Sequence, residues 1–242
     1  MRVAVLSDIH GNLPALEAVL LDIERQRVDW VVNLGDLCSG PLWPCETADR
    51  LIAFGWPTIR GNHERQLIET PLDRMEASDR YAAATMRQDQ LDWMAALPAT
   101  LKLDELLLVH GSPRSDVECL LETVTAAGMR TATAGEVGER LGDAAAPLTL
   151  CGHTHLQRTW TLGDGRMIVN PGSVGLPAYR DDRPFPHSAD SGSPHARYAI
   201  LTRGSEWRVE FRRVEYDWES AALQAEANNR ADWARALRTG LA

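Results

Sequence analysis

Short apolar runs alternate with polar clusters along the first quarter of the chain. VAVL at 3–6 is a continuous apolar run, the pattern of a strand buried on both faces, and it ends in SDIHGN. Residues 14–26 then place Leu16, Val19, Leu20 and Ile23 at helical spacing, with Pro14 in the first turn and Asn12 nearby as a candidate cap. WVVNLGD at 30–36 predicts a second strand, 44–54 a second helix, and WPTIR at 56–60 a third strand. This strand–helix alternation predicts a parallel sheet with helices on its faces.

Residues 64–97 read as mostly helical, broken near Thr70-Pro71 and Ser78. LKLDELLLVHG at 101–111 predicts a hairpin turning at Asp104-Glu105, and 117–128 and 134–141 predict helices. From 148 the period changes. LTLCG, QRTWTL, RMIVN, ARYAILT and EWRVEFRRV are strand-like, and GDG at 163–165 suits a hairpin turn, so the second half predicts a more antiparallel sheet. Residues 176–196, with Pro177, Pro184, Pro186 and Pro194, predict a long loop. Residues 218–238 predict a C-terminal helix packing through Leu223, Ala227, Trp233 and Leu237. There is no internal repeat, and 242 residues predict a single domain spanning 1–242.

Charge narrows the partners. With 25 basic and 34 acidic residues the net charge is −9, which disfavours the basic face that a stable nucleic-acid complex needs. A small phosphorylated substrate stays compatible, because bound metal can dominate the local field. None of the four cysteines forms a CxxC pair, so no zinc ribbon or thioredoxin-like site is indicated. Neither a membrane-length apolar run nor a signal-peptide core is present, which predicts a cytoplasmic protein with no membrane partner. The oligomeric state stays open: Trp218 and Trp233 suit anchorage of the last helix either to the domain or to a second subunit.

Five apolar runs end in compact polar clusters: SDIH at 7–10, GD at 35–36, GNHE at 61–64, HG at 110–111 and CGHTH at 151–155. In an open α/β sheet, groups at the carboxyl ends of strands share one crevice. One site is therefore predicted, holding Asp8, His10, Asp36, Asn62, His63, His110, His153 and His155. Asp8 and His10 are two apart, as are His153 and His155, so an extended backbone would point each pair the same way. Mixed imidazole and carboxylate groups suit Zn, Fe, Mn or Ni better than an all-oxygen Mg or Ca site. The set exceeds the needs of one tetrahedral ion and suits two metals about 3.5–4 Å apart, with one carboxylate bridging. His63 is then left over beside the substrate.

These clusters, followed by NPGS at 170–173, closely resemble the calcineurin-like metallophosphoesterase superfamily, in particular its small bacterial phosphodiesterase-like group. The resemblance spans residue 3 to about 175. It implies an α/β fold, a four-layer α/β/β/α sandwich of two mixed sheets flanked by helices. It also implies that Asp8, His10, Asp36 and His155 ligate one metal and Asp36, Asn62, His110 and His153 the other, with Asp36 bridging. His63 matches the family's non-ligating histidine, which contacts the phosphate and assists the leaving group; Asp36 or Glu64 would orient it.

The activity so implied is dinuclear-metal-dependent phosphoester hydrolysis by direct attack of metal-activated hydroxide. Mn or Fe is favoured, with Ni or Zn as further candidates. GDLCSGPLW places Cys38 and Ser39 where the superfamily's protein phosphatases carry Asp-Arg, which argues against that branch. A phosphodiesterase on a small or nucleotide-like substrate is favoured over a phosphomonoesterase on a small metabolite, a diadenosine-polyphosphate hydrolase or a protein phosphatase. A non-catalytic protein-binding scaffold is the reading of a different class. Candidate substrate contacts are Arg114, Asn170, Ser173, Tyr179 and Arg180.

Overall fold

The computed structural model describes residues 1–242. Strand β1 (Arg2–Leu6) leads into helix α1 (Leu13–Gln26), and β2 (Trp30–Asn33) into α2 (Pro44–Phe54). Helices α3 (Asn62–Glu69), α4 (Ala77–Thr85) and α5 (Gln88–Ala95) follow, with a 3-10 turn at Leu72–Arg74. Next come β3 (Leu101–Leu103), β4 (Leu106–Leu108), the hairpin β5 (Glu122–Thr125) with β6 (Gly128–Thr131), and α6 (Ala134–Leu141). The chain continues through β7 (Leu148–Leu150), β8 (Arg158–Thr161), β9 (Met167–Asn170), β10 (Ala178–Asp181) and β11 (His187–Asp190). It closes with β12 (Ala196–Arg203), β13 (Trp207–Val214), α7 (Trp218–Ala227) and α8 (Ala231–Thr239).

Two sheets carry the fold, ordered β13-β12-β1-β2 and β3-β4-β7-β9-β8. Both are mixed, as the family resemblance implies, although the expected parallel sheet from the first half and more antiparallel sheet from the second do not divide that way. β1 pairs with β2 in parallel but with β12 antiparallel. The longer parallel run, β4-β7-β9, comes from the second half, where α6 supplies the crossover between β4 and β7. WPTIR is reduced to one parallel bridge, Asn33 to Thr58, because Pro57 has no N–H for a longer ladder.

The continuous apolar reading of β1 has a direct cause. Ala4 and Leu6 pack with Leu16 and Val19 of α1, while Val3 and Val5 pack with Leu106, Leu108, Leu148 and Leu150 of the other sheet. On that sheet's far side, Val137 and Leu141 of α6 cover Val109 and Ile168. The layers are helix, sheet, sheet, helix. Asn12 caps α1 by accepting the Ala15 N–H at 3.2 Å, with Pro at the helix start.

Three further expectations are corrected. Residues 117–128 form no helix; ETVT is β-branched and pairs across Gly128, whose φ of 106° suits the turn. The proline-rich segment 176–196 is mostly a hairpin, with Ala178–Asp181 paired to His187–Asp190 and Pro184 and Pro186 confined to the connection. The predicted helix 218–238 is two helices, broken at Asn228–Arg230 where Asn229 takes φ 58°. Trp233 and Leu237 are buried as expected, but Leu223 is 53% exposed and Ala227 is also exposed. No helix is long and apolar enough to cross a membrane.

Glu64 knits the strand-end loops together. Its carboxylate is fully buried and accepts the N–H groups of Asp36, Leu37 and Gly61, each at 2.8 Å. The loops touch so closely that a methyl on Gly61 would collide with the Asp36 carboxylate. Glu64→Ala would strand three buried donors and should lower unfolding free energy by about 3 kcal/mol or more. Urea unfolding checks this as a lowered midpoint at unchanged slope; a midpoint equal to wild type would remove the knitting role.

Candidate metal centre

The predicted ligands leave their strands through a shared backbone device. Asp8, His10, Asp36, His153 and His155 all take left-handed φ, between 52° and 68°. Asp and His are among the residues that tolerate this region. The expected extended spacing of the two D-x-H and H-x-H pairs is thus corrected: the turn, not a pleat, aims both members inward. Cross-loop hydrogen bonds hold the turns, Asp8 N–H to Gly35 O and His10 N–H to Asp36 O, both 3.0 Å.

The side chains form two adjoining groups. Asp8, His10 and His155 offer donor atoms within 4.8 Å of one another, and so do Asp36, His110 and His153. Asn62 joins the second group, with its Oδ1 at 3.1 Å from His110 Nε2. The groups meet where His110 Nε2 lies 3.0 Å from Asp36 Oδ2 and 4.0 Å from Asp8 Oδ1.

The donor set fits a cation on chemical grounds. His10 Nδ1 faces Ser39 O at 2.8 Å, His155 Nδ1 faces Leu176 O at 2.7 Å and His110 Nδ1 faces Leu34 O at 2.8 Å. A carbonyl only accepts, so each Nδ1 carries a hydrogen, and in the neutral form of each ring Nε2 is left as the metal-facing lone pair. His10 Nε2 and His155 Nε2 then confront each other at 3.2 Å. Asp8 Oδ2, buried, has no hydrogen-bond partner at all. Converging lone pairs and an orphaned carboxylate oxygen are what a metal ion satisfies.

Protonation follows the same pattern. Burial pushes His10 and His153 down to about 4, so both are neutral at pH 7. Burial pushes His110 down as well, but the Asp36 carboxylate and then Asp8 reverse this and hold the ring up at about 10. Asp36 lies well below the carboxylate range: burial opposes its ionisation, and His110 and His63 overcome it.

His63 stands beside both groups and joins neither. Its ring is 5.4 Å from that of His10, and its side chain is 26% exposed. The expected orienting partners were Asp36 or Glu64. Instead Asp79, from α4, holds His63 Nδ1 at 2.7 Å, and the same Asp79 oxygen accepts the Ser39 hydroxyl at 2.6 Å. Asp36 takes only the His63 backbone N–H, at 3.0 Å. Burial pushes His63 down, but Asp36 and Asp79 raise it to about 9.

The remaining candidates divide. Arg114 points away, paired with Glu118 at 2.6 Å, and Arg65 is held by Asp116 at 2.6 Å. Asn170 and Ser173, expected as substrate contacts, are both buried and hydrogen-bonded within the protein. Asn170 donates to Gly152 O, and Ser173 donates to Asp8 O, each bracing a ligand loop. Tyr179 packs its ring 4.8 Å from His155, and Arg180 donates to Ala242 O at 3.0 Å. Asp79 and Trp233, whose ring meets His10 at 5.8 Å, were not singled out for the site. Asp79 lies inside an ordinary helical stretch, and only the turn of α4 brings it to His63.

Two mixed sheets between helix layers, with carboxylates and imidazoles gathered at the strand ends, define a phosphoester hydrolase. The chain belongs to the calcineurin-like phosphoesterase superfamily, whose domain matches residues 1–188. A metallophosphoesterase from Sphaerobacter thermophilus is similar in structure at a TM-score of 0.73, with 26% identity over 97% of this chain and 100% of that one. An uncharacterised Methanocaldococcus jannaschii protein is 24% identical, covering 96% of this chain and 94% of its own length.

At pH 8, below its value of about 10, His110 carries a proton that metal ligation must displace. Titrating Mn²⁺ into chelator-stripped protein should therefore release about one proton per chain. Calorimetry in two buffers of different ionisation enthalpy reads this as different apparent heats; equal heats would exclude His110 as the displaced acid.

Proposed function

We propose that the protein is a phosphodiesterase for a small, nucleotide-like substrate, dependent on two divalent metal ions. The observation that carries this reading is the pair of adjoining donor groups with a non-ligating histidine beside them. Asp8, His10, Asp36 and His155 would hold one ion, and Asp36, Asn62, His110 and His153 the other, Asp36 being shared. Mn or Fe suits these N/O donors best. Bound there, the ions would supply Lewis acidity toward the phosphoryl oxygens and lower the pKa of an attacking water.

The chain's own groups do the rest. His63, raised to about 9, is protonated at neutral pH and placed to give a proton to the departing oxygen. Asp79 holds Nδ1, leaving Nε2 as the proton-delivering atom. Ser39 fixes that carboxylate in turn. Asn62 contributes a neutral oxygen, which limits like-charge crowding next to Asp36. The diester preference is supported by the arginines near the loops. Arg65 and Arg114 are both committed to carboxylates, so neither of these two guanidinium groups is free for the second charge of a monoester.

Mn-reconstituted protein should hydrolyse bis-p-nitrophenyl phosphate with higher kcat/KM than p-nitrophenyl phosphate. The reverse order would favour a small-metabolite phosphatase, and no turnover of either with two metals bound would oppose both. His63→Ala should lower kcat by roughly 100- to 10,000-fold without loss of metal, measured by kinetics beside elemental analysis. Asp79→Asn should lower kcat with KM little changed; a change in KM alone would deny it the positioning role. Asp36→Ala should deplete both metals.

A further inference from the structure

The end of the chain lies beyond the residues that match the family domain, yet it reaches the candidate centre. Trp233 of α8 contacts the His10 ring, and Tyr179 of β10 contacts the His155 ring. Between these two aromatic side chains lies a cavity of about 190 Å³, also lined by Arg180, Arg230, Asp232 and Arg235. Its walls therefore include the two aromatic rings that pack on ligand-type histidines.

The charge of this cavity runs against that of the molecule. The chain has a net charge of −9, but here three guanidinium groups meet Asp232 and the carbonyl oxygen of Ala242, which engage Arg230 and Arg180 respectively and leave Arg235 over. Arg230 is fixed by Asp232 at 2.7 Å, donates to the Ser78 hydroxyl at 2.7 Å, and lies 5.5 Å from the Trp233 ring centroid. Ser78 precedes Asp79, the partner of His63, so this wall adjoins the helix that holds His63. Arg180 is turned to Ala242. Arg235 is exposed, its carbonyl accepts the Thr239 hydroxyl, and its guanidinium makes no hydrogen bond or ion pair. A guanidinium with no carboxylate, kept beside two others, is stabilised by an incoming anion.

We propose that this cavity is a second anion subsite, which takes a phosphate of the substrate other than the one being hydrolysed. It rests on the phosphodiesterase reading and narrows it to substrates carrying an additional phosphate near the scissile diester. Pockets for whole drug-sized ligands run to roughly 300–1,000 Å³, so 190 Å³ suits one group rather than a complete nucleotide. Arg235 would grip that phosphate, and Arg230 would present the second guanidinium edge along Trp233.

The test compares the dinucleotide ApA with its 5′-phosphorylated form pApA. Affinities are measured by calorimetry on Mn-loaded protein in the slow His63→Ala background, so that turnover does not consume the probe. We expect pApA to bind roughly ten-fold or more tightly than ApA, as one charge-assisted guanidinium–phosphate contact provides. Adding Arg235→Ala should collapse that ratio toward one, and Arg235→Lys should restore much of it. Equal affinities for pApA and ApA would overturn the subsite, and so would a ratio that survives both Arg235→Ala and Arg230→Ala. Because the ratio is read without turnover, failure of the otherwise wild-type protein to cleave bis-p-nitrophenyl phosphate would count against the diesterase reading alone.

Discussion

Three imidazoles donate their Nδ1 hydrogens to backbone carbonyls: His10 to Ser39, His110 to Leu34 and His155 to Leu176. That single choice of partner fixes the tautomer, and the tautomer fixes everything inward of it. Each Nε2 is driven inward, those of His10 and His155 against each other at 3.2 Å and that of His110 against Asp36 at 3.0 Å, where a cation can bind them together. The carbonyls of Leu34 and Ser39 belong to the strand-end loop that carries Asp36, and that of Leu176 to the loop after β9, so each ring is tied to a strand end. Glu64 closes the arrangement by tying the loop of Asp36 to that of Gly61.

The left-handed turns are the other half of this constraint. Five polar residues at consecutive strand ends accept a backbone region that most side chains avoid. A strand leaving its sheet in this way reverses over one residue, which lets donor atoms from separate strands lie within hydrogen-bond distance. The sandwich core supplies the rigidity that makes such turns tolerable, since β1 is buried on both faces.

Much of the centre was legible in the sequence, because its residues end apolar runs and strand ends converge in an open sheet. Asp8, His10, Asp36, Asn62, His110, His153 and His155 could be gathered without coordinates. The spacing argument used to aim them was wrong in its geometry, since φ at a strand end is not written in side-chain periodicity. Asp79 was invisible for a different reason. A carboxylate in ASDRYAAAT looks like any solvated helix residue, and its approach to His63 depends on how α4 rolls against α3. The pairing of β12 with β1 was equally hidden, for strand partners nearly a chain length apart leave no local trace. The break after Ala227 was missed because two consecutive asparagines can stop a helix or simply face solvent.

That pairing has a consequence for how the molecule comes into being. Arg2 lies opposite Thr202 in the first sheet, so β1, made well before β12, lacks its antiparallel neighbour until that strand emerges. Contacts so distant along the chain slow folding, since a long loop must close before they form. During synthesis, β1 and β2 would present an apolar ribbon with both edges open, the kind of surface that chaperones hold and that aggregates recruit. The order of translation therefore gives the nascent protein a vulnerable interval that ends only when β12 arrives beside β1.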